Sequence, residues 1–374
     1  MNPGVLVSYC RPMRLFKCLL PPGCLLLLSL AAASAGSKYL IEFGWDEPTP
    51  AFMRKHVEEM ERMPFDGCVF HIAHTDSQSN FIAFTSNAWG KHRFSRKELE
   101  PAIEDLLQTR FHKLQRNFLR LNVTPGDVDW FEDFSAILSN AGWAAKMARE
   151  GRCDGILLDV EAYAAPVFDF KKLSLKSQKS WEQYQVQARL RGSEFMSAIQ
   201  SEFPEITLFL TFGYSMPWAQ TENGKKPLQD CENALLPAFL DGMVATANGR
   251  AQIVDGCELS YSFKEPGMFD RDYKAIRDGL LPMVADPEKY HRVVSIGFGL
   301  WMDFDSHKVP WDTSDFSKNY YSPAAFKISV SKALASSDKY VWIYTQTPKW
   351  WTEKGGPEKL PADYLSAMRE AKGK

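Results

Sequence analysis

A strand-like run followed by a helix-like run recurs eight times along the 374-residue chain. The strand-like runs fall at 39–44, 68–73, 117–123, 155–161, 206–212, 257–261, 293–300 and 340–344. Amphipathic segments lie between them, at 51–63, 96–108, 134–149, 179–202, 270–284 and 324–336. A crossover helix returns the chain to the same end of the sheet, so strands joined this way pair in parallel. Eight such units predict an α/β fold of one kind, a single (β/α)8 or TIM barrel over 36–374, ringed by its helices. Ser95 and Glu98 predict a capping-box start for the helix at 96–108. The longest inserts, 77–94, 164–180 and 214–233, follow strands two, four and five. They are expected to wall a cleft on the C-terminal face, where barrels of this kind carry their active sites.

Asp-Gly recurs beside strands two, four and six, as Asp66-Gly67, Asp154-Gly155 and Asp255-Gly256. It predicts tight helix-to-strand turns, with Asp bonding local backbone donors. Three of the four cysteines beyond residue 35, Cys68, Cys153 and Cys257, adjoin these pairs and are expected as small buried residues at the barrel base. Cys231 is the fourth. Without a Cys-x-x-Cys pair, neither a structural zinc nor a disulfide is demanded by the spacing.

Strand four carries the chemistry. Side chains alternate along a strand, so Leu157, Asp159 and Glu161 share one face and Ile156, Leu158 and Val160 the other. Placing the more apolar set of each strand outward predicts the barrel interior. Strand one then offers Leu40, Glu42 and Gly44, strand two His71, and strand three Phe118, Arg120 and Asn122. Strand six offers Glu258 and Ser260, strand seven Trp301, and strand eight Trp342, Tyr344 and Gln346. Glu42, Asp159, Glu161, Glu258 and Asp303 are thereby expected to converge. Arg120 is expected to pair with Glu42, because a buried charge needs a partner. Tyr261 has the opposite parity to Glu258 unless the strand bulges. Trp45, Tyr163, Tyr214, Trp301 and Tyr344 belong to an aromatic set at the strand ends, suited to stacking on the apolar faces of sugars, and Tyr261 is a further substrate-binding candidate. Glu42, His71, Asn122 and Gln346 complete the expected substrate-binding residues.

Asp154, Gly155, Ile156, Leu158, Asp159 and Glu161 resemble the fourth-strand signature of the chitinase family, with Leu157 where that family has an acid. Leu158 to Glu161 also resembles the strand motif of a barrel-fold muramidase family. The resemblance implies a glycoside hydrolase with Glu161 as general acid. It further implies that Asp159 orients an N-acetyl group of the substrate as internal nucleophile. From the residues alone, Glu258 is the other candidate for the second role, as nucleophile or base. Asp159 beside Glu161 is expected to raise its pKa by like-charge repulsion.

Two other functions fit the same residues. A metal-dependent hydrolase would use Asp159, Glu161, Glu258 and His71, although no His-x-His or His-Glu-x-x-His pattern occurs. A barrel that binds carbohydrate without cleaving it would keep the aromatic residues. No cofactor or metal is implied. A formal charge of -2 without basic runs argues against nucleic acid. Arg11, Arg14 and Lys17, the apolar run 25–33 and Ala33-Ser-Ala35 predict a signal peptide over 1–35. A secreted or periplasmic protein acting on an oligo- or polysaccharide follows, with no membrane attachment after cleavage.

Overall fold

The computed structural model describes residues 37–76, 78–305 and 307–373, so the leader expected at 1–35 lies outside the described residues. The parallel strands are β1 (Tyr39–Gly44), β2 (Gly67–Phe70), β3 (Phe118–Asn122), β4 (Gly155–Asp159), β5 (Thr207–Leu210), β6 (Gln252–Asp255), β7 (Val294–Ile296 continued by Phe298–Trp301) and β8 (Tyr340–Thr345). Each pairs with its neighbour in chain order, and β8 pairs back onto β1. β7 joins the ends of the sheet: its first half pairs with β6 and its second with β8. Gly297 stands at the changeover and donates its N–H to the Asp255 carbonyl at 2.8 Å. The fold is the expected TIM barrel.

The helices following β1 to β8 in turn are α1 (Pro50–Met60), α2 (Arg96–Gln108), α3 (Ser135–Glu150), α4 (Trp181–Glu202), α5 (Leu236–Thr246), α6 (Pro266–Lys274), α7 (Pro323–Ser336) and α8 (Ala362–Ala371). The capping box at Ser95 is present, and Ser180 with Gln183 forms a second one at the start of α4. A short antiparallel hairpin, Ala73–Thr75 with Phe81–Ala83, follows β2. Among the described residues, no helix is long and apolar enough to cross a membrane.

The barrel interior is filled by Ile41, Phe43, Val69, Phe118, Leu157, Phe209, Val254, Tyr340 and Trp342. Phe118 packs edge-on against both Phe209 and Tyr340, with centroids 5.3 and 5.4 Å away. Below them, Asp154 accepts from Arg116 at 3.0 Å and from the Tyr340 hydroxyl at 2.6 Å, plugging the base. This Asp thus bonds side chains from the segment before β3 and from β8, where local backbone donors were expected.

Parity on β1 is the reverse of the expectation. Ile41 and Phe43 point inward, because the interior layers demand large apolar side chains. Glu42 therefore points away from the interior, fully buried behind the barrel wall. Burial, then the nearby charges of Asp46 and Glu47, push its carboxyl well above the usual range. A neutral carboxylic acid can occupy that position where a carboxylate would not be tolerated.

The run 257–261 is not a strand. β6 lies five residues earlier, and Glu258–Ser262 forms a 3-10 turn. Cys257 accordingly sits at the C-terminal end of its strand, not at the base. All four described cysteines are buried and unbridged.

Candidate active site

The C-terminal ends of the strands surround a cavity of about 570 Å³. Its wall includes Glu161, Glu258, Trp45, His71, Tyr261, Trp301, Tyr344 and Gln346, all expected near a site from their place in the sequence. It also includes Glu47, Arg120 and Tyr163. Four other expected residues stand elsewhere. Glu42 lies behind the wall, as described. Tyr214 is buried under the rim, its hydroxyl donating to Asp241 at 2.9 Å. Asn122 is buried beside Asp159 in the β3–β4 ladder, off the cavity wall. Asp303 is a structural acceptor, taking the Trp301 indole N–H at 2.9 Å and the backbone N–H groups of Gln346 and Thr347 at 3.0 and 2.8 Å.

Glu258 reaches the cavity through a turn and not by strand parity. β6 ends at Asp255, whose carboxylate accepts from the Ser215 hydroxyl and the Cys257 N–H at 2.6 and 3.2 Å. Cys257 then takes a left-handed conformation with φ 44°, which redirects the chain. Ser260 fastens the far side of the turn by donating to the Gly299 carbonyl and accepting the Gly299 N–H, at 2.8 and 3.0 Å. The Trp342 indole donates to the Gly256 carbonyl at 2.8 Å from inside the barrel. With both ends held, Glu258 and Tyr261 both face the cavity, which removes the parity conflict between them.

The Glu258 and Glu161 carboxyl groups are neighbours on the cavity wall. Burial first, then the charge of Glu161, push Glu258 up to about 9, and the Tyr261 hydroxyl bonded to it partly offsets the rise. Glu258 therefore keeps its proton at neutral pH. Glu258 lies beside Glu161.

Asp159 lies directly beneath, fully buried. Its Oδ1 accepts the Glu161 N–H at 3.2 Å, which fixes the backbone that carries Glu161. Burial, then the charge of Glu161, push Asp159 up to about 7 against the pull of Arg120. The Arg120 guanidinium lies 3.5 Å from Asp159 Oδ2 and 2.7 Å from Glu47 Oε2, so its partner is Glu47 and not Glu42. Glu47 is itself raised to about 7 by burial, with Arg120 opposing. His71 Nδ1 stands 3.7 Å from Glu47, too far for a hydrogen bond. Burial and the neighbouring Arg120 lower His71 to about 4, so it is neutral and forms no ion pair there.

Sequence reasoning passed over Glu47 because it lies in the turn after β1, in Trp45-Asp-Glu-Pro48, where no periodicity marks a direction. Its one signal was an acid next to the candidate Trp45. Tyr163 was noticed only as an aromatic. Its ring is 59 % exposed, yet its hydroxyl turns in against Asp159 and Glu161.

Aromatic rings form the opposite wall. Tyr261 and Tyr344 stack with centroids 5.6 Å apart, and Trp301 meets both edge-on at 5.9 and 5.5 Å. Trp45 projects over the mouth and donates its indole N–H to the Tyr344 hydroxyl at 2.6 Å. Among the described residues, no group of three or more His, Cys, Asp and Glu side chains is disposed to hold a metal ion. The guanidinium of Arg120 already supplies the positive charge between Glu47 and Asp159.

No protein-family model and no curated protein matches the chain. Several solved structures align with it at low identity. A GH18 chitinase from Pseudoalteromonas aurantia aligns at 13% identity and TM-score 0.41, over 89% of this chain and 100% of its own. A β-mannanase from the blue mussel Mytilus edulis aligns at 10% identity and TM-score 0.45, over 90% of this chain and 92% of its own. A Clostridium thermocellum protein that binds 5-methyl-5,6,7,8-tetrahydrofolic acid aligns at 11% identity and TM-score 0.38, over 90% and 96%. One fold hosts many chemistries, so function is argued from the site.

Proposed function

We propose that this protein is a glycoside hydrolase in which the Glu161–Glu258 pair protonates the leaving oxygen. The observation that carries this is the placement of Glu161 and Glu258 together on the wall of an aromatic-lined cavity, with Glu258 raised to about 9. Glycosidic cleavage needs an acid that still carries its proton at the working pH. The pair supplies one on Glu258, which burial and the neighbouring charge of Glu161 keep protonated. Asp159 and Arg120 act through Glu161, holding its backbone and balancing the charge below it. The aromatic wall orients the sugar by stacking on its apolar face. Glu258 lies beside Glu161, and this favours substrate assistance, or a water held by the pair, over attack by Glu258 from the opposite face.

The test is hydrolysis of chitotetraose, cellotetraose and mannotetraose, and of the matching 4-nitrophenyl glycosides, by wild type, Glu161→Gln and Glu258→Gln. Each substitution is expected to lower tetraose turnover by about 10²–10⁴-fold, the usual worth of a general acid. The nitrophenyl glycosides need little protonation of the leaving group and should lose less. Equal loss on both substrate classes would remove the acid role. Binding of a tetraose by wild type without turnover would replace the reading by that of a carbohydrate-binding barrel.

We also propose export with cleavage after Ala35, supported by the order of basic residues, apolar run and Ala-x-Ala in the leader. N-terminal sequencing of the exported protein tests it, and a product retaining the 25–33 run would contradict it.

A further inference from the structure

Glu161 and Glu258 face two cavities. Besides the aromatic one, a second cavity of about 640 Å³ opens against the same pair, and Tyr163 borders both. Its far walls come from the inserts after β4 and β5, with Asp169 and Lys172 from the first and Met216, Gln220, Glu232 and Asn233 from the second. We propose that this second cavity is a sugar subsite, so that the substrate is an oligosaccharide lying across the carboxyl pair with at least one unit on each side. The inference rests on the glycosidase reading above and adds to it the extent and charge of the substrate.

The argument is one of placement. A general acid must reach the oxygen that joins two units. Here the acid pair is the shared wall, so an oxygen above it leads into a different cavity in each direction. Both volumes fall within the roughly 300–1,000 Å³ of small-molecule sites. The two linings differ in chemistry. The first presents ring faces, and the second sets amides and carboxylates among Pro166, Phe212 and Met216. Gln220 is held in place there, its Oε1 accepting the Asn233 N–H at 3.1 Å. The Lys172 amine lies 3.1 Å from Asp169 Oδ2 and is neutralised by it. Glu232 then has no opposing cation on the cavity wall. The subsite therefore takes a neutral or amine-bearing unit and rejects an acidic one.

The test compares kcat/KM on the neutral tetraoses with kcat/KM on the 4-nitrophenyl glycosides, whose small leaving group leaves the second cavity largely unfilled. Met216→Trp narrows that cavity, and Gln220→Ala, a milder change, removes one of its polar contacts. In both variants the tetraose-to-nitrophenyl ratio is expected to fall by at least about tenfold. Tetragalacturonate, the acidic probe, is expected to resist cleavage. If wild type cleaves both neutral classes and the ratio is unchanged in both variants, the second subsite is wrong and the glycosidase reading stands. Cleavage of tetragalacturonate as fast as the neutral tetraoses would overturn the charge assignment. If wild type cleaves none of the substrates, the glycosidase reading fails and takes this inference with it.

Discussion

Arg120 Nη2 lies 2.7 Å from Glu47 Oε2, joining the third barrel strand to the turn that leaves the first. The same guanidinium stands 3.5 Å from Asp159, so one cation serves two buried acids beneath the reacting pair. Removing it strands both. Arg120→Met is expected to cost about 3–5 kcal/mol, the usual result of breaking a buried pair from one side. Glu47→Gln leaves Arg120 with Asp159 and should cost less. Urea denaturation of the two variants checks the order, and equal losses would contradict it.

The raised acids make stability depend on pH with a definite sign. Glu47 and Asp159 are raised to about 7 and Glu258 to about 9, all above their unfolded values. The native state then binds more protons than the unfolded chain between the unfolded carboxylate range and about 9. Their contribution is complete below the unfolded pKa and is lost as pH rises through the folded values. Stability should fall across that window, by up to about 1.4 kcal/mol per pH unit for each proton. Glu258→Gln should flatten the upper part. Unfolding free energies measured in steps from pH 5 to pH 9 check this, and a rise with pH would contradict it.

Gly155 opens β4 with the backbone of β5 pressed against it. A Cβ there would lie 1.8 Å from the Thr207 carbonyl oxygen, and one at Gly67 would lie 2.0 Å from that of Arg116. The need for glycine is thus a close approach of strands. Gly155→Ala is expected to cost about 3 kcal/mol or more, seen as a lowered thermal midpoint. A midpoint equal to wild type would show that the strands can part without loss.

Trp45 is 68 % exposed and contributes little to the core. Trp45→Ala should leave stability within about 0.5 kcal/mol of wild type. It should weaken binding of the reactive tetraose to the Glu161→Gln variant by about tenfold, equivalent to 1.4 kcal/mol. Calorimetry on the double variant checks the affinity, and an unchanged value would take Trp45 out of the sugar site.

The barrel was legible because its alternation is repeated and each unit confirms the next. Residues 155–159 form a strand wherever their ends are drawn, and Glu161 follows two residues past the last of them. The errors arose where one local pattern was the only guide. On β1, Ile41 and Phe43 are apolar enough for either face, and only the filled interior decides for them. At β6, the four residues Gln252–Asp255 are short and polar at both ends, while the next run alternates more convincingly. The left-handed turn at Cys257 leaves no mark in residue type, so Glu258 was placed near the cavity for the wrong reason. α5 was missed because Leu236–Thr246 is apolar on nearly every side, which erases the helical period. Glu47 could be found only by knowing what stands opposite it, and that is tertiary information.

The central claim is that Glu258, beside Glu161, keeps its proton at neutral pH. The most direct test is a pH titration of the protein carrying 13C-carboxyl-labelled glutamate, followed by NMR, with the two resonances assigned by their loss in Glu161→Gln and Glu258→Gln. The Glu258 carboxyl is predicted to titrate at about 9. It should move toward the ordinary range in Glu161→Gln, where the neighbouring charge is gone. Titration of both carboxyl groups below about 5, near the ordinary glutamate value, would contradict the account.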